Sequence, residues 1–287
     1  MTLPPPAGYV RLVLPGTVAV VLQSEAATVQ RALARGPLHA LASTVPIRHT
    51  YQGRVPTYSV PLSALAGDDW SIEKGNGGGS EKGDGRSVEK GDGRSSEKGD
   101  GWSSENVHRV VVRHSHHGGL FAPLTRDLFL APTRAPHELA ISSQLRASGV
   151  PTPEIVAYAV YHVAPGIRRA DVVTREVPAA TDLAAFLRGA ITTATDTRQP
   201  FSAVAELLDT LARANAHHPD LNIKNILLSA TATGQLTAWV LDVDRVRFSP
   251  HAATRNLARL RRSLAKWRAA TGLTDSHVDA FLSGSPL

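Results

Sequence analysis

Cysteine is absent from the chain. Neither a disulfide framework nor a thiolate metal site can be built, and the absence suits a reducing compartment. Aromatic residues are scarce, at 5%. The basic stretches therefore lack the interleaved rings on which single-stranded nucleic acid stacks, so no nucleic-acid partner is expected. No apolar run approaches the roughly 20 residues needed to cross a bilayer. The start, Met1-Thr2-Leu3-Pro4-Pro5-Pro6, lacks the basic and apolar segments of a secretory leader. Together these absences lead to the expectation of a soluble, cytoplasmic protein.

Hydrophobic residues make up 42% of the 287 residues, enough for one large domain or for two lobes that share a cleft. The formal net charge of +6 favours anionic partners, among them nucleotide phosphates and an acidic membrane surface.

One stretch, about residues 67–105, is compositionally foreign to the rest. A unit Ser-Xaa-Glu-Lys-Gly-Asp-Gly-Arg recurs there, as in Ser87-Val88-Glu89-Lys90-Gly91-Asp92-Gly93-Arg94. Paired glycines and nearly no apolar anchors leave the cost of ordering, about 1–2 kcal/mol per residue, without an offset from burial. It reads as a disordered insertion. A calcium loop is disfavoured because the dense alternating acids are missing. The flanks, Arg48–Leu62 and Val107–Arg113, carry the β-branched runs of strands, so the insertion is expected as a swollen hairpin between neighbours.

Helical spacing follows in Ala135–Ser148, stopped by Gly149 and Pro151. Ile155–His162 and Asp171–Val177 read as strands. Thr181-Asp182 caps a helix bearing Leu183, Phe186 and Leu187, and Phe201–Ala216 is the clearest helix, with Val204, Leu207, Leu208 and Leu211 in phase. Ile226–Leu228 and Trp239–Val243 read as short strands, and Thr254–Ala270 as a basic amphipathic helix. A strand-rich half with one helix thus precedes a helix-rich half.

The chemistry gathers at His218-Pro219-Asp220-Leu221-Asn222-Ile223-Lys224-Asn225 and, after an apolar strand, at Leu241-Asp242-Val243-Asp244-Arg245. Phosphoryl transfer asks a protein mainly for positioning and charge cancellation. Asp220 and Asn225, five apart on a turn, put a base beside an oxygen ligand. Asp242, at the end of a neighbouring strand, reaches the same metal, and magnesium prefers such hard oxygen donors.

The pattern His-Xaa-Asp-Leu-(Xaa)3-Asn with a downstream Asp resembles the catalytic and metal loops of protein-kinase-like enzymes. The resemblance implies Asp220 as the base, His218 as a brace of its loop, and Asn225 and Asp242 as magnesium ligands. It also implies a strand cation paired with a helix glutamate, which fall on Arg113 and Glu138, and a phosphate-covering loop at Gly53-Arg54-Val55-Pro56-Thr57. Arg113 stands where protein kinases have lysine, so its planar fork would meet phosphate differently.

Val112-Arg113-His114-Ser115-His116-His117-Gly118-Gly119-Leu120 and Asn256-Leu257-Ala258-Arg259-Leu260-Arg261-Arg262-Ser263-Leu264 narrow the likeness further. With Leu145–Pro153 and the two catalytic segments, they resemble bacterial 3-deoxy-D-manno-octulosonic acid (Kdo) kinases of the lipopolysaccharide core kinase family, in which Arg at the position of Arg113 is expected. Over roughly residues 105–267, this resemblance implies an α+β, bilobal, protein-kinase-like fold. A small β-rich N-terminal lobe with one Glu-bearing helix (1–177) would precede a mostly helical C-terminal lobe (178–287). It implies ATP and Mg2+ as cofactors, Kdo-lipid A or a related lipopolysaccharide precursor as acceptor, and peripheral contact with the cytoplasmic face of an anionic inner membrane. Arg255, Arg259, Arg261, Arg262, Lys266 and Arg268 would touch acidic head groups or the acceptor, or else form a solvated face around a buried Leu257–Leu260–Leu264 stripe. An aminoglycoside- or choline-type kinase and a non-catalytic pseudokinase are the alternatives.

Overall fold

The computed structural model describes residues 4–51, 55–68, 108–116, 127–193, 198–230 and 234–271. The first half contains the strands β1 (Tyr9–Leu14), β2 (Thr17–Leu22), β3 (His49–Tyr51), β4 (Thr57–Pro61), β5 (Arg109–His114), β6 (Phe129–Leu130), β7 (Ile155–Ala164) and β8 (Ile167–Arg175). They form one antiparallel sheet in the order β1-β2-β7-β8-β5-β4-β3, with β6 paired to β8. Among the described residues, four helices accompany it: α1 (Ala26–Arg35), α2 (Leu38–Thr44), α3 (Leu62–Ala66) and α4 (Ala135–Ala147). The one-helix outline of this half is therefore incomplete, although of these four described helices only α4 carries a glutamate.

Period-two alternation divides the sheet into two faces. Ala19, Val21, Val110, Val112 and Val173 are buried against Val29, Leu33, Leu38 and Leu65 of α1–α3. Val20, Tyr158, Ala170 and Val172 point the other way, onto Ala135 and Leu139 of α4. Each face buries a hydrophobic layer at about 25 cal/mol per Å² of apolar area.

The strands flanking the repeat are neighbours as expected: β4 pairs antiparallel with β5, Tyr58 opposite Val112. Most of the repeat itself, and its expected disorder, lies outside the described residues.

The second half contains β9 (Thr181–Asp182), α5 (Leu183–Thr193), α6 (Arg198–Arg213), β10 (Ala216–His217), β11 (Ile226–Ala230), β12 (Leu236–Val240), β13 (Arg247–Phe248) and α7 (Ala252–Thr271). Leu183, Leu187, Leu207, Leu211, Ile226 and Leu264 share its core. That core also takes Ile141, Leu145 and Val150 from α4 and the turn after it. Helix α4 thus has one side in each half.

Several boundaries differ from the sequence reading. Thr181–Asp182 pairs with β11 as a strand, while Asp182 still caps α5 by accepting the Ala185 N–H at 2.8 Å. Helix α6 stops before Ala216 because Asn215 adopts φ 53°, a left-handed turn that sends Ala216 into β10. Strand β12 ends at Val240 rather than Val243, since Asp242 also lies at φ 53° and a 3-10 turn follows over Val243–Arg245.

Candidate active site

A cleft of about 550 Å3 opens between the sheet and the helical half. The alternation that buries Val110 and Val112 aims Val111 and Arg113 into it. From α4 come Glu138 and Ser142; from the helical half come Asn225, Leu227 and Asp242. Four of the residues singled out in the sequence therefore line one cavity.

Arg113 and Glu138 form a salt bridge, with the glutamate side chain 10% exposed. The Glu138 charge beside it raises the Arg113 pKa above its ordinary value and outweighs the burial that opposes it. The other arm of the guanidinium lies 3.5 Å from Asp242 Oδ1, so a single cation joins the sheet, α4 and the Asp242 turn. Ser142, one turn beyond Glu138, has a buried Oγ with no partner among the described residues.

Loop 218–225 alternates too. Leu221 and Ile223 are fully buried, whereas Asp220, Asn222 and Lys224 face outward. His218 is buried and works as a clasp. Its Nδ1 accepts the Asp220 N–H at 3.2 Å, and Nε2 therefore carries the proton donated to Leu241 O at 2.8 Å. The Leu241 N–H in turn donates to Asn225 O at 2.9 Å. The two loops are thus stitched together immediately before Asp242. Asn225 Nδ2 donates to Asp220 O at 3.0 Å, which leaves its Oδ1 available to a cation. Asp220 is outside the cavity lining and meets it through Asn225.

Helix α7 supports this loop along one stripe. Asn256, fully buried, accepts the His218 N–H at 2.9 Å and donates to Ala216 O at 2.8 Å. Arg259 Nη2 reaches Asp220 Oδ1 at 2.6 Å, Ser263 Oγ accepts the Ile223 N–H at 3.2 Å, and the Trp267 ring lies 4.7 Å from Lys224 Nζ. Asn256, Ser263 and Trp267 are the helpers that sequence reasoning missed; Arg259 was singled out as a surface cation, without its link to Asp220. The available signal was an asparagine and a serine in phase with Leu260 and Leu264, polar groups at positions that face a core. Leu257, expected in the buried stripe, is only half-buried because Asn256 takes the inward place.

Strands β3 and β4 form a flap over the cleft, with Tyr51 and Thr57 in its lining. Tyr51 donates to Glu176 Oε1 at 2.8 Å. Burial and then the Glu176 carboxylate push its pKa up to about 12. Gly53, the expected phosphate-covering glycine, lies outside the described residues, as do His117, Gly118 and Gly119.

Behind Arg113, on the opposite face of β5, His114 sits between two carboxylates, Asp171 at 2.5 Å and Asp127 at 3.0 Å. Burial alone would lower its pKa. Hydrogen bonds and charge from Asp171 and Asp127 outweigh that and raise it. Fully buried Asp171 also accepts the Tyr161 hydroxyl and the His39 N–H, each at 2.9 Å, tying α2 to the back of the strand that presents Arg113.

A model of the family described as Lipopolysaccharide kinase (Kdo/WaaP) family matches residues 83–284. The chain is 32% identical over 174 residues to a 3-deoxy-D-manno-octulosonic acid kinase of Actinobacillus succinogenes, covering 58% of this chain and 70% of that protein. Proteins of the same description match from Haemophilus influenzae, at 32% over 162 residues (54% and 65% covered), and from Vibrio vulnificus, at 30% over 184 residues (60% and 73%). Among solved structures, one titled "WaaP in complex with acyl carrier protein" is similar at a TM-score of 0.44 and 22% identity, over 62% of this chain and 69% of that one.

Proposed function

The chain belongs to the lipopolysaccharide kinase (Kdo/WaaP) family, and from that premise we propose that it transfers the terminal phosphoryl group of ATP to a hydroxyl of Kdo on a lipid A precursor. The observation that carries the proposal is the convergence of Arg113, Glu138, Asn225 and Asp242 on one cleft, with the Asp220 carbonyl held by Asn225 at its edge. The acceptor oxygen attacks phosphorus, its proton passes to Asp220, and ADP leaves. Glu138 holds the Arg113 fork toward the nucleotide phosphates, which it meets with parallel N–H donors.

Asn225 and Asp242 offer the oxygen donors that suit magnesium, and the Asp242 carboxylate is half exposed toward the cleft. Bound there, the ion would cancel phosphate charge. His218 keeps the two ligand loops in register.

In this reading, residues 1–177 form the β-rich N-terminal lobe and 178–287 the helical lobe that carries the catalytic and metal loops, and Gly53 is the proposed glycine of the phosphate-covering loop. The exposed cations Arg255, Arg261, Arg262 and Lys266 on α7 would rest against anionic head groups at the cytoplasmic face of the inner membrane. Among the described residues, no helix is long and apolar enough to cross a membrane.

The test is incubation of purified protein with magnesium, ATP and Kdo-lipid A, followed by mass spectrometry. Addition of one phosphate is expected with the wild type and none with Asp220→Asn. A wild-type protein that binds magnesium–ATP and leaves Kdo-lipid A unmodified would refute the assignment.

A further inference from the structure

On the Kdo-kinase reading, which this deepens by naming the contact that selects the acceptor, we infer that Arg259 receives the carboxylate of the sugar acid and thereby releases Asp220 for the hydroxyl. In the structure the guanidinium is engaged with the base itself, Nη2 to Asp220 Oδ1 at 2.6 Å. Its Nε is buried and has no partner among the described residues. A guanidinium carries five donors in a planar fork. Here one is spent on Asp220 and another is left without an acceptor.

The ion pair is open to an incoming ligand, with side-chain exposures of 36% for Arg259 and 54% for Asp220. The helix beneath it is fixed to the loop on both sides of Arg259. Asn256 holds the His218 and Ala216 main chain, and Ser263 holds that of Ile223. Moving the guanidinium from Asp220 to a ligand therefore needs a side-chain rotation and no rearrangement of the backbone. Lys224, exposed on the loop beside the Trp267 ring, supplies a second cation on the same side of the turn.

The chemistry of the acceptor fits this device. An octulosonic acid bears a carboxylate on the same sugar as its hydroxyls, and a carboxylate matches the guanidinium fork with two parallel hydrogen bonds. While Arg259 occupies Asp220 Oδ1, the guanidinium competes with a hydroxyl for that oxygen and leaves Oδ2 as the other acceptor. A sugar acid takes the guanidinium and frees the oxygen. A neutral sugar offers no replacement anion, so the pair stays closed. Selection for an acid and readiness of the base are then one event.

The experiment compares Kdo-lipid A with its carboxyl methyl ester as acceptors for wild type, Arg259→Ala and Arg259→Lys, reading kcat/KM from phosphate incorporated. Wild type should prefer the acid by about 10- to 100-fold, the range expected for hydrogen bonds to a charged group. Arg259→Ala should lose most of that preference, and Arg259→Lys, which keeps the charge without the fork, should retain part of it. The Kd for magnesium–ATP should stay within about twofold of wild type in both variants, showing that the fold and nucleotide site are intact.

Equal use of acid and ester by the wild type overturns the inference, as does an undiminished preference in Arg259→Ala. If Arg259→Ala is insoluble, the wild-type comparison and Arg259→Lys still decide it. A wild type that phosphorylates neither acceptor refutes the Kdo-kinase assignment instead, so the two failures remain distinct.

Discussion

His218 shows how a residue with no exposed surface can still govern chemistry. Its two ring nitrogens join the Asp220 turn to the strand end before Asp242. His218→Ala orphans the Asp220 N–H and the Leu241 carbonyl, each costing about 1–3 kcal/mol if left unpaired. Thermal denaturation should show that loss, and kcat should fall further than the affinity for magnesium–ATP changes. Asp220→Ala is expected to behave differently: it removes turnover, while isothermal titration still detects nucleotide binding. His114 adds a pH dependence. Its folded pKa is raised above the ordinary 6.5, so the folded state keeps a proton that the unfolded state releases. That stabilisation is fully present below about pH 6.5 and disappears as pH rises through the folded value. In urea denaturation across this range, the stability gap between wild type and His114→Gln should narrow with rising pH. A gap that stays constant would mean that His114 contributes packing alone.

At the scale of elements, strand β5 was the most legible part of the site. The run Val110–Val112 announces a strand, and its alternation puts Arg113 on the face opposite buried Val110 and Val112, while the partner Glu138 on α4 was expected only from the resemblance to protein-kinase-like enzymes. Helix α7 was only partly legible. Its basic face is plain in the sequence, but the role of Asn256, Ser263 and Trp267 depends on a loop some 40 positions earlier, and a helical period carries no address. Helix α1 was not read at all: Val29, Ala32 and Leu33 have helical spacing, but the sheet face they cover comes from several distant strands. Asn256→Ala tests the structural part of this account. Two buried backbone groups lose their partners, so stability should fall by about 1–3 kcal/mol for each, with kcat reduced and nucleotide affinity kept. Unchanged stability would show that water or another group replaces the amide.

For the whole molecule, the decisive feature is that α4 belongs to both cores. Ala135 and Leu139 pack on the sheet, while Ile141, Leu145 and Val150 complete the hydrophobic cluster of the helical half. The Val240 N–H donates to Pro151 O at 2.9 Å, adding a main-chain link between β12 and the turn after α4. Glu138, on the same helix, can therefore hold Arg113 over Asp242 only while both cores are formed. Two consequences follow from this sharing. Leu145→Ala leaves a cavity in a fully buried position and should cost about 2–5 kcal/mol, lowering one common transition rather than splitting it. A fragment of residues 178–287 alone would lack Ile141, Leu145 and Val150, so its helices would have no partner for one side of their core. Near-ultraviolet circular dichroism of that fragment should lack the fixed aromatic signals of a packed core, and adding residues 1–177 in trans should restore them. A fragment that is well packed by itself would show that the two halves are separable and that α4 does not couple the Arg113–Glu138 pair to the catalytic loop.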